Sequence, residues 1–352
     1  MDSVALLESV SQSTGALGHP SHVSNVEHNR PIFVVGCQRS GTTALSVMLD
    51  RHSNIAMLPE TQFYHTYIQR DVLAGGPQLH YRMIERALND RFICATGLSP
   101  EEVLDQYCEK EPTHDSLFRS ILSAFAARQG KRRAAEKSCH HLFHVQKLLS
   151  LYPDAKFICI LRDGRDVFQS LRNVPWGRNK PVAGLCRAWN SFAREMLRCQ
   201  QRYSPRNFTV VRFADLMLRP EFTLRMLCEF IGEAFEPGML SECTRSAAVP
   251  STELGWKGKA LGRPDASRVG AWRHSAATSE IERLNFYMGR MLERTGYTDT
   301  QVTGASLIRR ISWMLAYVPF LPGIFPIAVR VNRFFWWLIG RPKPSVYHVP
   351  LK

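Results

Sequence analysis

The chain has 352 residues, of which 45% are hydrophobic and 22% charged, a globular composition that excludes a disordered or fibrous protein. It carries 45 basic and 31 acidic residues, a net charge of +14, but no long run of Lys and Arg, so nucleic acid is not expected as a partner. Half of this net charge lies beyond residue 304, where seven basic residues and no acidic residue occur. The rest of the chain is mildly basic, which suits a small anionic ligand.

Nine cysteines are scattered along the chain without a Cys-x-x-Cys pair. This pattern is typical of reduced thiols and predicts no thiolate metal site. No basic residue precedes Arg30, and no long apolar run opens the chain. We therefore expect no secretory signal and a cytoplasmic location.

Composition divides the chain into three segments. Residues 1–29 are rich in Ser, His, Asn and Gly without periodicity, and we expect them to form a flexible arm. Residues 30–300 should form the folded domain, and residues 301–352 a basic hydrophobic tail.

The folded domain repeats a strand–loop–helix pattern. The apolar run 32–36 precedes a glycine-bearing loop and a helix from Thr42. Further strands are predicted at 133–136, 156–161 and 208–213, with helical stretches between them. Strands that alternate with helices predict an α/β fold. Here the expected form is a P-loop-like parallel sheet flanked by helices, with a C-terminal hydrophobic helical tail.

The loop at 36–43 lies between a strand and a helix. Its small residues let backbone N–H groups converge, and the helix N-terminus adds partial positive charge, so the loop is predicted to bind an anion. The glycine spacing is that of a Walker A loop, but Thr42 stands where a nucleotide kinase has its lysine. Arg39 could supply the missing cation. A plain tight turn is the alternative.

A second motif follows the predicted strand at 156–161. Arg162 comes at the strand end, and Ser170 lies eight residues further on the predicted helix, so the two could bind a second phosphate. The alternative is an ordinary helix start, in which Asp163 and Asp166 interact favourably with the helix dipole.

Together, the two motifs resemble those of the PAPS-dependent sulfotransferases, whose co-substrate is 3′-phosphoadenosine 5′-phosphosulfate (PAPS). The similarity covers residues 31–297 and is greatest to the branch with tyrosylprotein sulfotransferases and many bacterial sulfotransferases. It implies that Arg162 and Ser170 bind the 3′-phosphate. It also implies that the phosphate loop binds the 5′-phosphosulfate through Arg39, Ser40, Gly41, Thr42 and Thr43.

The same resemblance implies which residues catalyse transfer to an acceptor hydroxyl group. Glu60, in a Glu-Thr pair, matches the general base of the family. Lys137, in a Glu-Lys-Ser segment, and Arg39 would stabilise the transferring group and the leaving phosphate. No metal is expected, because protein cations supply the charge that Mg²⁺ supplies in kinases.

Three histidines follow Lys137. His140 is the second choice as base, because cytosolic sulfotransferases use a histidine. No carboxylate or cysteine spacing completes a metal site. The group of His140, His141 and His144 is therefore predicted to lie on a helix surface.

A later segment resembles the family's loop that closes over the nucleotide. Ser267 and Arg273 are predicted phosphate contacts there, and Trp272 is predicted to pack near the adenine. The alternative is an ordinary basic loop. In another segment, Phe213 replaces the tyrosine of the family, so a hydroxyl contact is missing.

The acceptor is not identified by any residue pattern. Residues 62–130 and 174–200 are expected to wall its pocket, and sugar, lipid, peptide and small-molecule hydroxyls all stay open. Two other functions also stay open. A P-loop nucleotide kinase is disfavoured by the missing Walker lysine. An inactive membrane-surface binding protein is disfavoured by the presence of Glu60 and Lys137.

The tail contains 19 consecutive uncharged residues, 311–329, with arginines and tryptophans around them. This length could span a bilayer, but Pro319, Pro322 and Pro326 argue against one straight helix. Tryptophan and arginine suit the surface of an anionic membrane. The alternative is a helical hairpin that packs on the domain or joins two copies in a homodimer.

Overall fold

The computed structural model describes residues 30–68, 79–107, 113–301, 304–320 and 324. The predicted flexible arm of residues 1–29 and the tail beyond residue 324 lie outside the described residues.

One sheet of five parallel strands forms the centre of the domain, in the order β2-β3-β1-β4-β5. The strands are β1 (Ile32–Gly36), β2 (Ile55–Leu58), β3 (Arg133–Glu136), β4 (Lys156–Leu161) and β5 (Phe208–Arg212). The predicted α/β fold with a parallel sheet is confirmed.

Helices flank this sheet. In chain order they are α1 (Thr42–Asp50), α2 (Leu79–Leu88), α3 (Pro100–Asp105), α4 (His114–Arg128), α5 (Val145–Leu151), α6 (Gly164–Arg172), α7 (Val182–Arg202), α8 (Phe213–Leu218), α9 (Pro220–Ile231), α10 (Leu254–Lys257), α11 (Trp272–Ser275), α12 (Thr278–Arg294) and α13 (Leu307–Tyr317). A π-helix covers Phe63–Tyr67. Short 3₁₀ helices cover Ile93–Thr96, Cys139–His144, Pro237–Leu240, Ser251–Glu253, Gly258–Ala260, Ala266–Arg268 and Val318–Phe320.

Alternate residues of β1 face two separate hydrophobic cores. Phe33 and Val35 pack in one core with side chains from α4 and α7, while Ile32 and Val34 pack in the other with α1 and α9. Because side chains alternate along a strand, a strand covered on both faces needs apolar residues at every position. This explains the uninterrupted apolar run in β1.

The residues that follow the strands meet at one edge of the sheet, because parallel strands all end there. The phosphate loop with Arg39 follows β1, Glu60 follows β2, and Lys137 follows β3. Arg162 follows β4, and Phe213 follows β5. The strand predicted at 208–213 ends one residue earlier in the structure, at Arg212. The reason is that β4 ends at Leu161, opposite Arg212, so Phe213 has no residue of β4 to pair with.

Candidate functional site

The phosphate loop takes its shape from residues with positive φ. Gly36, Arg39 and Gly41 have φ of 134°, 67° and 106°. A Cβ on Gly41 would collide with the ring of Phe213, so only glycine fits there. Gly41 is also the N-cap of α1, and no side chain caps the helix. The first-turn amides are therefore available to an anion.

Ser40 gives this loop a second feature that fits a bound anion. Its side chain is 1% exposed, and its Oγ has no hydrogen-bond partner among the described residues. A buried hydroxyl without a partner is costly, and in native proteins it calls for an explanation such as a ligand. An oxygen of a bound phosphate or sulfate would satisfy it.

The two predicted phosphate motifs meet directly. Arg39 Nε donates to Ser170 Oγ at 3.1 Å, and Arg39 Nη2 donates to the carbonyl of Trp256 at 3.2 Å. Burial and the nearby charge of Arg268 lower the pKa of Arg39. Two segments 131 residues apart thus form one cationic cluster.

Arg162 lies in the same cluster, with its guanidinium group 4.2 Å from the centre of the Phe213 ring. It donates to the carbonyl oxygens of Arg39 at 3.2 Å and Arg268 at 2.7 Å. Burial lowers the pKa of Arg162 to about 10, although Asp166 opposes this effect. Arg162 therefore stays charged near neutral pH. Phe213 supports it through a cation–π contact at the position where a tyrosine was expected.

Glu60 is held between two lysines. Its Oε2 contacts the ammonium group of Lys137 and lies 3.4 Å from Lys257 Nζ, while Oε1 accepts from Gln62 Nε2. Burial alone raises the pKa of Glu60, but the two ammonium groups outweigh burial and lower it to about 2. For Lys137, burial lowers the pKa, but Glu60 outweighs burial and raises it. Both groups are charged at neutral pH.

A second buried carboxylate, Glu136, connects the loops that carry this ion pair. Glu136 Oε1 accepts from the backbone N–H of Thr61 at 3.1 Å, from its hydroxyl at 2.8 Å, and from Ser138 Oγ. Its Oε2 lies 2.9 Å from His141 Nδ1. Because Thr61 adjoins the catalytic carboxylate candidate and Ser138 adjoins the lysine, Glu136 fixes their separation.

The prediction of surface histidines is wrong for two of the three. His140 is 4% exposed and His141 is 0% exposed, because their 3₁₀ helix follows β3 directly and packs between β1 and α7. The His140 ring stacks on His65 at 3.8 Å. Burial, and then the charge of His65, lower the pKa of His140 to about 3, so His140 is neutral. Within the described residues, no group of three or more His, Cys, Asp or Glu side chains suits a metal ion.

Ser267, Trp272 and Arg273, predicted to contact the nucleotide, each contact other side chains of the protein. Ser267 Oγ lies 2.5 Å from Asp265 Oδ1, and Arg273 pairs with Asp299 at 3.1 Å. Trp272 is buried, with the guanidinium group of Arg165 3.8 Å from its ring. The phosphate contacts of Ser267 and Arg273 and the adenine contact of Trp272 therefore stay predictions.

Sequence reasoning missed two cations of the site, Lys257 and Arg268. Lys257 lies beside Glu60, and Arg268 lies beside Arg39 and Arg162. Neither follows a strand, and only Arg268 lies in a segment with a recognisable motif, the one that resembles the loop closing over the nucleotide. The one available signal was the concentration of basic residues in the stretch 257–273.

Comparisons with known proteins identify the family of this chain. A sequence profile described as the sulfotransferase family matches residues 31–237, more than half of the chain. Protein-tyrosine sulfotransferase A of Caenorhabditis elegans is 25% identical over 210 residues, which cover 57% of this chain and 49% of that protein. An omega-hydroxy-beta-dihydromenaquinone-9 sulfotransferase of Mycobacterium bovis is 23% identical over 244 residues, which cover 57% and 62% of the two chains. The chain thus spans about half to two thirds of these relatives.

Among solved structures, the sulfotransferase domain from the curacin biosynthetic pathway has a TM-score of 0.57 to this chain at 17% identity. The alignment covers 76% of this chain and 97% of that domain. At this level of identity, the similarity establishes the fold.

Proposed function

Because this chain belongs to the sulfotransferase family, we propose that it transfers the sulfuryl group of PAPS to a hydroxyl group of an acceptor. The observation that carries the proposal is the meeting of an anion-binding loop, Arg162 and the Lys137–Glu60 pair at one edge of the sheet. Cations beside a carboxylate are what sulfuryl transfer requires, since negative charge grows on the leaving phosphate while the acceptor loses a proton.

PAPS would bring the activated sulfuryl group, and residues of this chain would hold its two ends. The loop amides, Ser40 and Arg39 bind the 5′-phosphosulfate, and Arg162 with Ser170 binds the 3′-phosphate. The acceptor oxygen forms a bond to sulfur as the bond between sulfur and the 5′-phosphate oxygen breaks. The acceptor proton goes to Glu60, and adenosine 3′,5′-bisphosphate leaves.

Calorimetry with adenosine 3′,5′-bisphosphate tests this proposal. We expect binding in the absence of Mg²⁺ and no competition from Mg-ATP, because the loop lacks the Walker lysine. Labelled PAPS should then pass its label to at least one member of a panel of phenols, sugars, lipids and peptides. Mg-dependent ATP binding with phosphoryl transfer would favour the nucleotide kinase, and nucleotide binding without any label transfer would favour the inactive binding protein.

We also propose that the basic tail places the enzyme on an anionic membrane surface. Its described part, α13, exposes Leu307, Ile308, Met314 and Leu315, and Arg309 and Arg310 are exposed on the same helix. The opposite side packs on the domain, where Trp313 lies 5.6 Å from Phe286 and Tyr317 stacks on Tyr287 at 5.3 Å. Exposed apolar and basic side chains together are typical of helices that lie in a membrane surface. Within the described residues, no helix is long and apolar enough to cross a bilayer.

A further inference from the structure

Lys257 lies where its ammonium group joins two carboxylates. Its side chain is 8% exposed, and its Nζ lies 2.5 Å from Glu253 Oε2 and 3.4 Å from Glu60 Oε2. Lys137 contacts the same oxygen of Glu60. The four side chains form a continuous alternating row of charges, Lys137–Glu60–Lys257–Glu253.

This row is connected to the phosphate loop. The residue before Lys257, Trp256, accepts a hydrogen bond at its carbonyl from Arg39 Nη2 at 3.2 Å. Arg39 interacts electrostatically with Glu253, so the three cations Arg39, Lys137 and Lys257 accompany the two carboxylates Glu60 and Glu253. An anion bound in the loop would compete with Glu60 for the two ammonium groups.

We propose that Lys257 is a positioning residue that, with Lys137, holds Glu60 ion-paired at rest, and that the arriving 5′-phosphate group draws the ammonium groups away and frees Glu60 to accept a proton. The inference rests on the proposed sulfuryl transfer and specifies its order. The base becomes active only when the sulfuryl donor is bound, so the acceptor is not deprotonated in the absence of the donor.

The resting geometry explains why release is needed. Lys137, Lys257 and Gln62 occupy both oxygens of Glu60, which leaves little room for an acceptor proton. A carboxyl group with a pKa of about 2 is also a weak base for a hydroxyl group. The other groups that influence Glu60 are His140, which is neutral, and Cys139, whose thiol pKa is raised to about 11 by burial and by Glu60 itself.

Repulsion between Lys137 and Lys257 favours the release of Glu60 from their ammonium groups. Burial and then the like charge of Lys137 lower the pKa of Lys257, although Glu60 and Glu253 oppose this. Lys257 also pairs with Glu253, so the two ammonium groups compete only for the shared oxygen of Glu60. A phosphate or phosphosulfate group would offer Lys137 and Lys257 separate oxygens in place of that shared one.

Carboxyl-carbon NMR of protein with ¹³C-labelled glutamate tests the proposal, with the Glu60 resonance assigned by its loss in Glu60→Gln. In the nucleotide-free protein, we expect this resonance not to titrate between about pH 8 and pH 4, because its pKa lies below that range. With saturating adenosine 3′,5′-bisphosphate, a titration step should enter the range, because losing each of the two ammonium neighbours raises the carboxyl pKa by about 1–3 units, which moves it from about 2 to roughly 4 or above.

Variants of Lys257 distinguish the proposed positioning role from a purely structural one. In Lys257→Met, the Glu60 resonance should show the upper part of the titration step even without nucleotide. Lys257→Arg keeps the cation, so its Glu60 resonance should not titrate in this range. Lys259→Met, two residues away and exposed, is the matched control and should behave as the wild type. If Lys257→Met does not fold, the inference is tested by the wild type alone, from the Glu60 titration with and without adenosine 3′,5′-bisphosphate.

Two results would overturn the inference while leaving the proposed function in place. One is a Glu60 resonance that is unchanged when calorimetry shows that adenosine 3′,5′-bisphosphate is bound. The other is a folded Lys257→Met protein whose Glu60 resonance stays flat. Failure of the wild type to bind the nucleotide at all would overturn the proposed function together with the inference.

Discussion

Arg162 at the end of β4 should decide which nucleotide the protein prefers. Arg162→Ala should remove most of the preference for adenosine 3′,5′-bisphosphate over AMP, because the two differ in the 3′-phosphate. A charge-assisted contact contributes about 1.5–3 kcal/mol, so the affinity ratio should fall roughly 10- to 100-fold. Calorimetry with both nucleotides measures this ratio.

The control is Arg172→Ala. Arg172 is an exposed residue of α6 that donates a hydrogen bond to the carbonyl of Arg178. An equal loss of affinity for both nucleotides would contradict the assignment.

Glu60 should be essential for turnover and dispensable for nucleotide binding. Glu60→Gln keeps the size of the side chain but cannot accept a proton, so turnover should fall by about 10²–10⁴-fold. Binding of adenosine 3′,5′-bisphosphate should persist, since the variant leaves every phosphate-binding candidate in place. His140→Phe is the matched comparison. If that variant abolishes turnover while Glu60→Gln retains it, the base is His140.

His140 should make the protein less stable in acid. Its pKa is about 3 in the folded protein against an ordinary value of 6.5, so between these values the unfolded chain takes up a proton that the folded chain does not. Stability therefore falls as the pH drops through this window, by up to about 1.4 kcal/mol per pH unit for one proton. Urea unfolding across this range should show a shallower pH dependence in His140→Phe. An unchanged slope would mean that His140 is not buried in its neutral form.

At the scale of elements, the site depends on how closely the phosphate loop approaches α8. Gly41→Ala would place a Cβ against the ring of Phe213 and impose a positive φ on alanine. We expect a loss of about 1–3 kcal/mol in unfolding free energy and a loss of nucleotide binding, because Phe213 also supports Arg162.

Gly130 provides the control for this prediction. It also has a positive φ, 63°, but a Cβ there would meet no atom of the described part of the chain within 4 Å. Gly130→Ala should therefore show only the backbone cost, about 1–2 kcal/mol, with normal nucleotide binding. Urea denaturation and calorimetry of both variants measure the two effects. If Gly41→Ala binds nucleotide as Gly130→Ala does, the contact between the loop and α8 does not shape the site.

At the scale of the whole molecule, α13 should determine where the enzyme resides. The full-length protein should sediment with vesicles of anionic lipid, and added salt should weaken the binding only partly, because burial of apolar side chains does not depend on salt. Ile308→Glu, at a position that is 80% exposed, should reduce sedimentation strongly.

Leu218→Glu is the matched control for that experiment, because Leu218 is an exposed leucine (57%) on α8. It should sediment like the wild type. Equal behaviour of the two variants, or no sedimentation of the wild type, would favour a tail that packs on the domain or joins two copies. Size-exclusion chromatography of the full-length protein then distinguishes these two arrangements.

The sequence by itself determined the sheet and the positions of its chemical residues. Buried parallel strands need uninterrupted apolar runs, and 32–36 and 156–161 stand out for that reason. Once the strands are parallel, the residues that follow them must share one edge, which brings Arg39, Glu60, Lys137 and Arg162 together. Local pattern and this topological rule place Arg39 and Arg162, whereas Glu60 and Lys137 were selected only through the family resemblance.

Only the tertiary structure decided the charge state and the partners of these residues. The two lysines beside Glu60 lie 77 and 197 residues away in the chain, and the contact of Arg39 with Ser170 spans 131 residues. Burial of His140 also depends on where its 3₁₀ helix packs, between β1 and α7. A pKa is set by desolvation and by neighbouring charges within a few ångströms, and distances of that size between remote segments are fixed only when the chain folds.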